Sequence, residues 1–169
     1  MISKTLTERA VLEFSEKNGL EVVTVIPSFV VGPFICPKFP GSVRTALALV
    51  LVSYESAGNR DEYPVLINIS VVHVDDVTRA HIFLFKHHDT KGRYNCSSNV
   101  ITIKEMAEFL SAKFPELQIP VVESLKEVKG PKFPGLSSKK LLDSGFEFKY
   151  GVDEMFSEAI HCCKEKGYL

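Results

Sequence analysis

Hydrophobic positions follow two unlike rhythms along the chain. Val22, Val23, Thr24, Val25 and Ile26 form an unbroken β-branched run, and residues 65–72 form a second. Continuous runs of this kind predict strands buried on both faces of a parallel sheet, over residues 21–26 and 65–72. Elsewhere the period is helical. Leu6, Ala10, Val11 and Phe14 share one face of a helix predicted over residues 1–18, which Gly19 closes. Val77, Ala80, His81 and Leu84 do the same over 75–86, with Asp75 or Asp76 as the cap. Met155, Phe156, Ala159, Ile160 and Cys163 make the inward stripe of a helix over 152–166. Thr102 caps a helix over 103–114, with Glu105 in the first turn where a carboxylate suits the dipole. Shorter helices are expected over 42–51, with Ser42 as N-cap, and over 138–143. Short strands are expected over 93–96 and 119–122. Helix and strand alternating through short turns predict an α/β fold with a parallel sheet.

Pro27 stops the first strand and opens a stretch to Gly41 that carries prolines at 27, 33, 37 and 40. Prolines at this density suit a shaped loop over a site. In open parallel sheets ligands bind just beyond the carboxyl ends of the strands, which is where residues 27–30 fall. Residues 52–64 read as a polar loop and 126–135 as a basic one. The chain opens directly on a helix, in the middle of a βαβ pattern, so the expectation is a single fragment, residues 1–169, whose front half lies upstream.

Composition narrows the picture by exclusion. Of 169 residues, 45% are hydrophobic and 24% charged, which is ordinary for one globular core, and a net charge of -1 gives no reason to expect a nucleic-acid partner. No apolar run is long enough to span a bilayer, and the first ten residues hold Lys4, Glu8 and Arg9 with no secretory core, so a cytoplasmic location is expected. The four cysteines, 36, 96, 162 and 163, lack CxxC spacing and read as reduced thiols without a disulfide framework or zinc site.

Three constellations can carry chemistry, and each has a plainer reading beside it. Lys4, after Ser3 at the head of the first helix, is either a solvated helix lysine or a functional one. His73, Asp75 and Asp76 are either capping groups at a helix start or metal ligands. Pro27, Ser28, Phe29 and Val30, followed by Gly32 and Pro33, are either a strand stop and turn or one wall of a ligand site.

Four segments, MISKTLTERAVLEF, IPSFVVGPF, VVHVDDVTRAHIFLF and GRYNCSS, stand in this order. Together they resemble the carboxyl-terminal half of an extended short-chain dehydrogenase/reductase of the plant dihydroflavonol reductase-like group. The tail LLDSGFEFKYGVDEMFSEAIHCCKEKGYL and the stretch KEMAEFLSAKFPE are most similar to its isoflavonoid branch. The resemblance covers nearly the whole chain. It implies the carboxyl part of a Rossmann-like NAD(P)-binding fold with a small substrate-binding lobe.

It also implies an NADPH-dependent oxidoreductase that reduces a ketone or aldehyde carbonyl of a flavonoid- or isoflavonoid-type phenolic. In the family pattern a catalytic Tyr-x-x-x-Lys starts the first helix. Lys4 matches the lysine, and the tyrosine would fall immediately before Met1. Pro27, Ser28, Phe29, Val30 and Ser42 match the segment along the nicotinamide end of the cofactor, and His73 to Asp76 matches a structural signature. No GxGxxG occurs in the sequence, so the glycine-rich phosphate loop belongs to the upstream half. Residues 52–59 lengthen the chain relative to the family, and are either a real extension near the substrate pocket or the product of an incorrectly assembled gene model. Full-length relatives are expected to be monomers, and this fragment to self-associate. Two other readings stay open: a truncated non-catalytic binding module, and a related activity such as cinnamoyl-CoA reduction or sugar-nucleotide epimerisation.

Overall fold

Helix α1 (Ile2–Asn18) leads through a left-handed Gly19 into β1 (Val23–Pro27), and after the single residue Ser28 the chain continues as β2 (Phe29–Val31). A computed structural model describes residues 2–51, 60–131 and 133–169. Beyond the proline-rich loop come α2 (Gly41–Ala46) and α3 (Ala48–Leu51), then a 3-10 turn (Arg60–Glu62), α4 (Tyr63–Leu66), β3 (Asn68–His73) and α5 (Val74–Lys86). Strands β4 (Gly92–Cys96) and β5 (Asn99–Thr102) follow, then α6 (Ile103–Lys113), a 3-10 turn (Val122–Leu125), α7 (Lys139–Asp143) and α8 (Val152–Glu165).

Among the described residues the strands form two small sheets. β1 pairs in parallel with β4, from Val23 opposite Gly92 to Pro27 opposite Cys96. β3 is the centre of the other sheet, parallel to β2 on one side and antiparallel to β5 on the other. Its side chains alternate as the pleat requires. Ile69 and Val71 enter a large core with Leu47, Leu49, Met106, Leu110, Met155 and Phe156. Val72 enters a second core with Ala80, Leu84, Tyr94, Cys96, Leu141 and Phe146. The α/β class and the stripe of α8 are as expected, and all five inward residues of that stripe are buried.

Several expectations fail for identifiable reasons. β1 is only half-buried from Val23 to Ile26, because among the described residues it has one strand neighbour and its bond to α1 is the one between Thr24 and Glu8. The face of α1 expected to point inward is exposed at Leu6, Val11 and Phe14. Pro27 ends the strand from within it rather than after it: it is the last residue of β1, and the chain then changes sheets at Ser28.

The predicted strand over 119–122 does not form, since Pro120 has no N–H to give a ladder, and Val122–Leu125 coils into a 3-10 turn instead. β5 was not foreseen; four residues, Asn99 to Thr102, carry too little pattern. The loop expected over 52–64 lies in part outside the described residues (52–59), while Arg60–Glu62 and Tyr63–Leu66 are helical. Pro64 is tolerated there because the first turn needs no amide partner. The second strand accordingly begins at Asn68 rather than at 65.

Candidate functional site

The sheet change at Ser28 creates the most suggestive concavity. The Ser28 amide donates to the Cys96 carbonyl at 3.0 Å, so the backbone is still anchored to β4 as it turns toward β3. Pro27, Ser28, Phe29 and Val30 form one wall of a groove of about 410 Å³, and Ser42, in the first turn of α2, stands in the same groove. Ser42 is not a cap. Pro40 holds that position with extended backbone, and its carbonyl accepts from Arg44 N at 2.9 Å.

The opposite wall was not legible in advance. Ser70 on β3 and Phe133, Pro134 and Leu136 complete the groove. Long-range bonds hold this wall to β3: Leu136 N donates to Ser70 Oγ at 3.2 Å, and Asn68 Nδ2 donates to the Phe133 carbonyl at 3.1 Å. Ser138 fixes the next turn, its hydroxyl accepting from Ser97 N and donating to the Ser97 carbonyl, both at 2.8 Å. The only advance signal was Ser70 itself, a hydroxyl within an apolar strand.

The Ser28 hydroxyl is buried and has no hydrogen-bond partner among the described residues. A buried hydroxyl without a partner costs about 1–3 kcal/mol, so the groove is polar at one point and unsatisfied there. That fits a ligand with a hydrogen-bonding group and a flat apolar body, such as the carboxamide and ring of a nicotinamide.

Lys4 is exposed on the first turn of α1 and is not part of the groove lining. Its placement follows from one contact. Thr24 Oγ1 donates to Glu8 Oε1 at 2.8 Å, and Arg93 Nε reaches the same carboxylate oxygen at 2.8 Å, pinning α1 across β1 and β4. From Glu8 the helix runs back one turn, ~6 Å, to Lys4, while β1, which returns along the helix after the turn at Gly19, runs ~13 Å from Thr24 to Ser28. Lys4 and the groove therefore lie toward the same end of β1.

His73 and Asp76 are engaged in structure. His73, not Asp75 or Asp76, caps α5: its Nδ1 accepts from Asp75 N at 3.1 Å, and its ring stacks on Tyr150 with centroids 4.0 Å apart. Asp76 is fully buried, paired with Arg79 and accepting from the amides of Lys149 and Tyr150. His81 is exposed rather than on the inward face of α5. The proline-rich loop is shaped as expected: Phe34, Phe39 and Tyr168 form one ring cluster, with Phe39 stacked on Phe34 (5.6 Å) and on Tyr168 (4.6 Å), and Tyr168 donates to the Pro37 carbonyl at 3.1 Å.

The model of the NAD dependent epimerase/dehydratase family matches residues 1–97. Vestitone reductase of Medicago sativa is 54% identical over 168 residues, covering 99% of this chain and 49% of its own length. Its crystal structure superimposes with a TM-score of 0.91 at 53% identity, over 99% of this chain and 52% of that one. Dihydroflavonol 4-reductase of Hordeum vulgare is 42% identical over 173 residues, covering 99% of this chain and 46% of its own length. Yeast methylglyoxal/isovaleraldehyde reductase Gre2, solved with NADPH, shares the fold at a TM-score of 0.71 and 24% identity, over 96% of this chain and 50% of that one. The fold is thus Rossmann-like, and the chain spans about half the length of the curated relatives it matches.

Proposed function

The chain belongs to the NAD dependent epimerase/dehydratase family, and from that premise we propose that it forms the carboxyl half of an NADPH-dependent reductase acting on a carbonyl of a flavonoid- or isoflavonoid-type phenolic. The observation that carries this reading is the groove at the sheet change. Five residues matched in the sequence to the nicotinamide end of the cofactor, Pro27, Ser28, Phe29, Val30 and Ser42, line one concavity, and its buried hydroxyl lacks a partner.

The nicotinamide, when bound, supplies the hydride. The chain's own residues hold, orient and enclose. Phe29 and Val30 give the groove an apolar wall, and the Ser28 hydroxyl offers a hydrogen bond to a carboxamide. Lys4 carries a positive charge toward the same end of β1. In the family pattern that charge lowers the pKa of a tyrosine one helical turn earlier, which donates the proton to the carbonyl. Phe133, Pro134 and Leu136 face the cofactor wall and present an apolar surface to the phenolic substrate.

The test is a fusion of residues 1–169 behind the amino-terminal half of Medicago sativa vestitone reductase. The expected result is NADPH oxidation that depends on an isoflavonoid or dihydroflavonol ketone. A folded fusion that binds NADPH and reduces no such ketone overturns the substrate class, and one that fails to bind NADPH overturns the cofactor site.

A second reading, a module that associates without chemistry of its own, is supported by the exposed apolar face of α1 at Ile2, Leu6 and Phe14. Sedimentation of the chain alone separates the two, since the module reading requires a stable, well-behaved product.

A further inference from the structure

A second cavity lies away from the groove, where the 3-10 turn at Arg60 and helix α4 meet the segment after Val122–Leu125. It measures about 290 Å³ and is lined by Arg60 and Lys129, by the ring of Tyr63, and by Pro64, Leu125 and Val128. Among the described residues no carboxylate lines it. Of the acids nearby in sequence, Glu62 accepts from Thr45 at 3.0 Å and Glu123 pairs with Lys126 at 2.7 Å, while Asp61 and Glu127 stand outside the lining.

Two features show that the cavity is built. Tyr63 is 5% exposed, and its hydroxyl is buried without a hydrogen-bond partner among the described residues. Gly130 lies against Pro64 so closely that a Cβ there would come within 2.4 Å of the Pro64 carbonyl oxygen and 2.8 Å of its Cα. Only glycine at 130 lets this segment bring Lys129 up to the helix that follows Arg60. Two cations and a buried donor are thereby gathered over an apolar floor. An oxyanion among them satisfies the buried hydroxyl and gives the two cations a charge-assisted hydrogen-bond partner.

We propose that this cavity is a binding site for an oxyanion carried on a small apolar body, with Arg60 and Lys129 pairing with the charge and the Tyr63 hydroxyl donating to it. Burial pushes the Tyr63 phenol up from its ordinary value, an effect the Arg60 charge only partly offsets, so the hydroxyl remains a donor at neutral pH. The pocket volume suits a single ring or short chain bearing one anionic head. The site is independent of the reductase reading, since none of its residues belongs to the groove.

The test is isothermal titration of the full chain with benzoate and, separately, with phenyl phosphate. The two share a ring and differ only in the oxyanion, so the tighter of them identifies a carboxylate or a phosphate ester as the source. Saturable binding is expected, with perturbed Leu125 and Val128 methyl signals in the NMR spectrum. The double substitution R60Q/K129Q should weaken binding roughly tenfold, as expected when charge-assisted hydrogen bonds are lost. Because Arg60 and Lys129 are both exposed, the double variant should keep the wild-type melting midpoint without ligand. Tyr63→Phe should weaken binding severalfold while leaving the ring in place. Absence of saturable binding with both probes, or affinity unchanged in both variants, overturns the proposal.

Discussion

The buried carboxylate of Asp76 holds the backbone amide of Lys149 at 3.1 Å from each of its two oxygens, and takes the Tyr150 amide at 3.1 Å as well. One side chain in the first turn of α5 thus ties down the segment that leads into α8. With no carboxylate at 76, two amides lose their acceptor and Arg79 its partner. Asp76→Ala is expected to cost about 3 kcal/mol, the usual scale for stranding buried polar partners. Urea denaturation measures it; a loss under about 1 kcal/mol would mean that solvent replaces the carboxylate easily.

Gly32 supports the loop that leaves β2. Its φ of +141° lies where L side chains are strained, and a Cβ would sit 2.9 Å from Val74 Cγ1 and 3.1 Å from His73 Nε2. Gly32→Ala should therefore destabilise by about 2 kcal/mol, through backbone strain and overpacking together. Gly41→Ala is the contrast, because nothing lies within 4 Å of its Cβ and the residue opens α2. That substitution should be neutral or stabilise by up to about 1 kcal/mol in the same denaturation series.

What could be read in the sequence was local chemistry. Gly19, the Thr102 cap with Glu105, and the α8 stripe each declare themselves within a turn or two of chain, and each stands where expected. The sheet change at Ser28 did not declare itself, because a strand that trades one neighbour for another keeps the same extended, β-branched pattern. The near wall of the groove stands in consecutive residues, 27–30, which the resemblance could single out. The facing wall was not legible in this way, since Phe133 and Leu136 reach it through bonds to Asn68 and Ser70 across more than sixty residues of sequence. His73 as the cap of α5 was hidden by two aspartates that follow it and cap more commonly.

The capping box of α6 gives a pH signature. Glu105 Oε2 accepts from Thr102 N at 2.8 Å and from the Thr102 hydroxyl at 2.7 Å, and these bonds hold the Glu105 carboxyl below its ordinary 4.5. A carboxyl whose folded pKa is depressed stabilises the fold fully above its unfolded pKa. It loses that contribution as pH falls through the folded value. The stability difference between the wild type and Glu105→Gln should therefore be present at neutral pH and vanish in acid below 4.5. Thr102→Ala should cost about 1 kcal/mol at neutral pH. Thermal melts across the acid range check both, and a difference that persists unchanged into strong acid would exclude the carboxylate as its source.

The four cysteines should differ sharply in reactivity. Cys36 is exposed, whereas burial pushes the Cys96 and Cys163 thiols up to about 12, with the Asp76 charge adding to the first and Cys162 to the second. Cys162 is buried against the backbone of Phe34, 3.4 Å from both its amide and its carbonyl. A chromogenic disulfide reagent should thus titrate a single thiol quickly in the native chain and all four in denaturant. Cys36→Ser should abolish the fast phase. A fast thiol that survives this substitution would show that one of the three buried cysteines is open to solvent.

Ser28 and Lys4 separate a binding role from a structural one by the sign of their effects. The Ser28 hydroxyl is buried without a partner among the described residues, so in the unliganded chain it contributes desolvation cost and no hydrogen bond. Ser28→Ala should leave stability unchanged or raise it by up to about 1 kcal/mol, because removing an unsatisfied buried polar group relieves that cost. In the fusion with the vestitone reductase amino-terminal half, the same substitution should weaken NADPH binding severalfold. A purely structural serine would instead lose stability and leave binding alone. Lys4 is exposed, so Lys4→Met should barely move the melting midpoint. Its proposed role in assisting proton donation predicts a fall in kcat of about 10²-fold or more, with the pH profile shifted toward alkaline values as the assisting charge is lost. A Lys4→Met fusion with unchanged kcat and pH profile would remove Lys4 from the catalytic reading while leaving the groove, and the test of Ser28, intact.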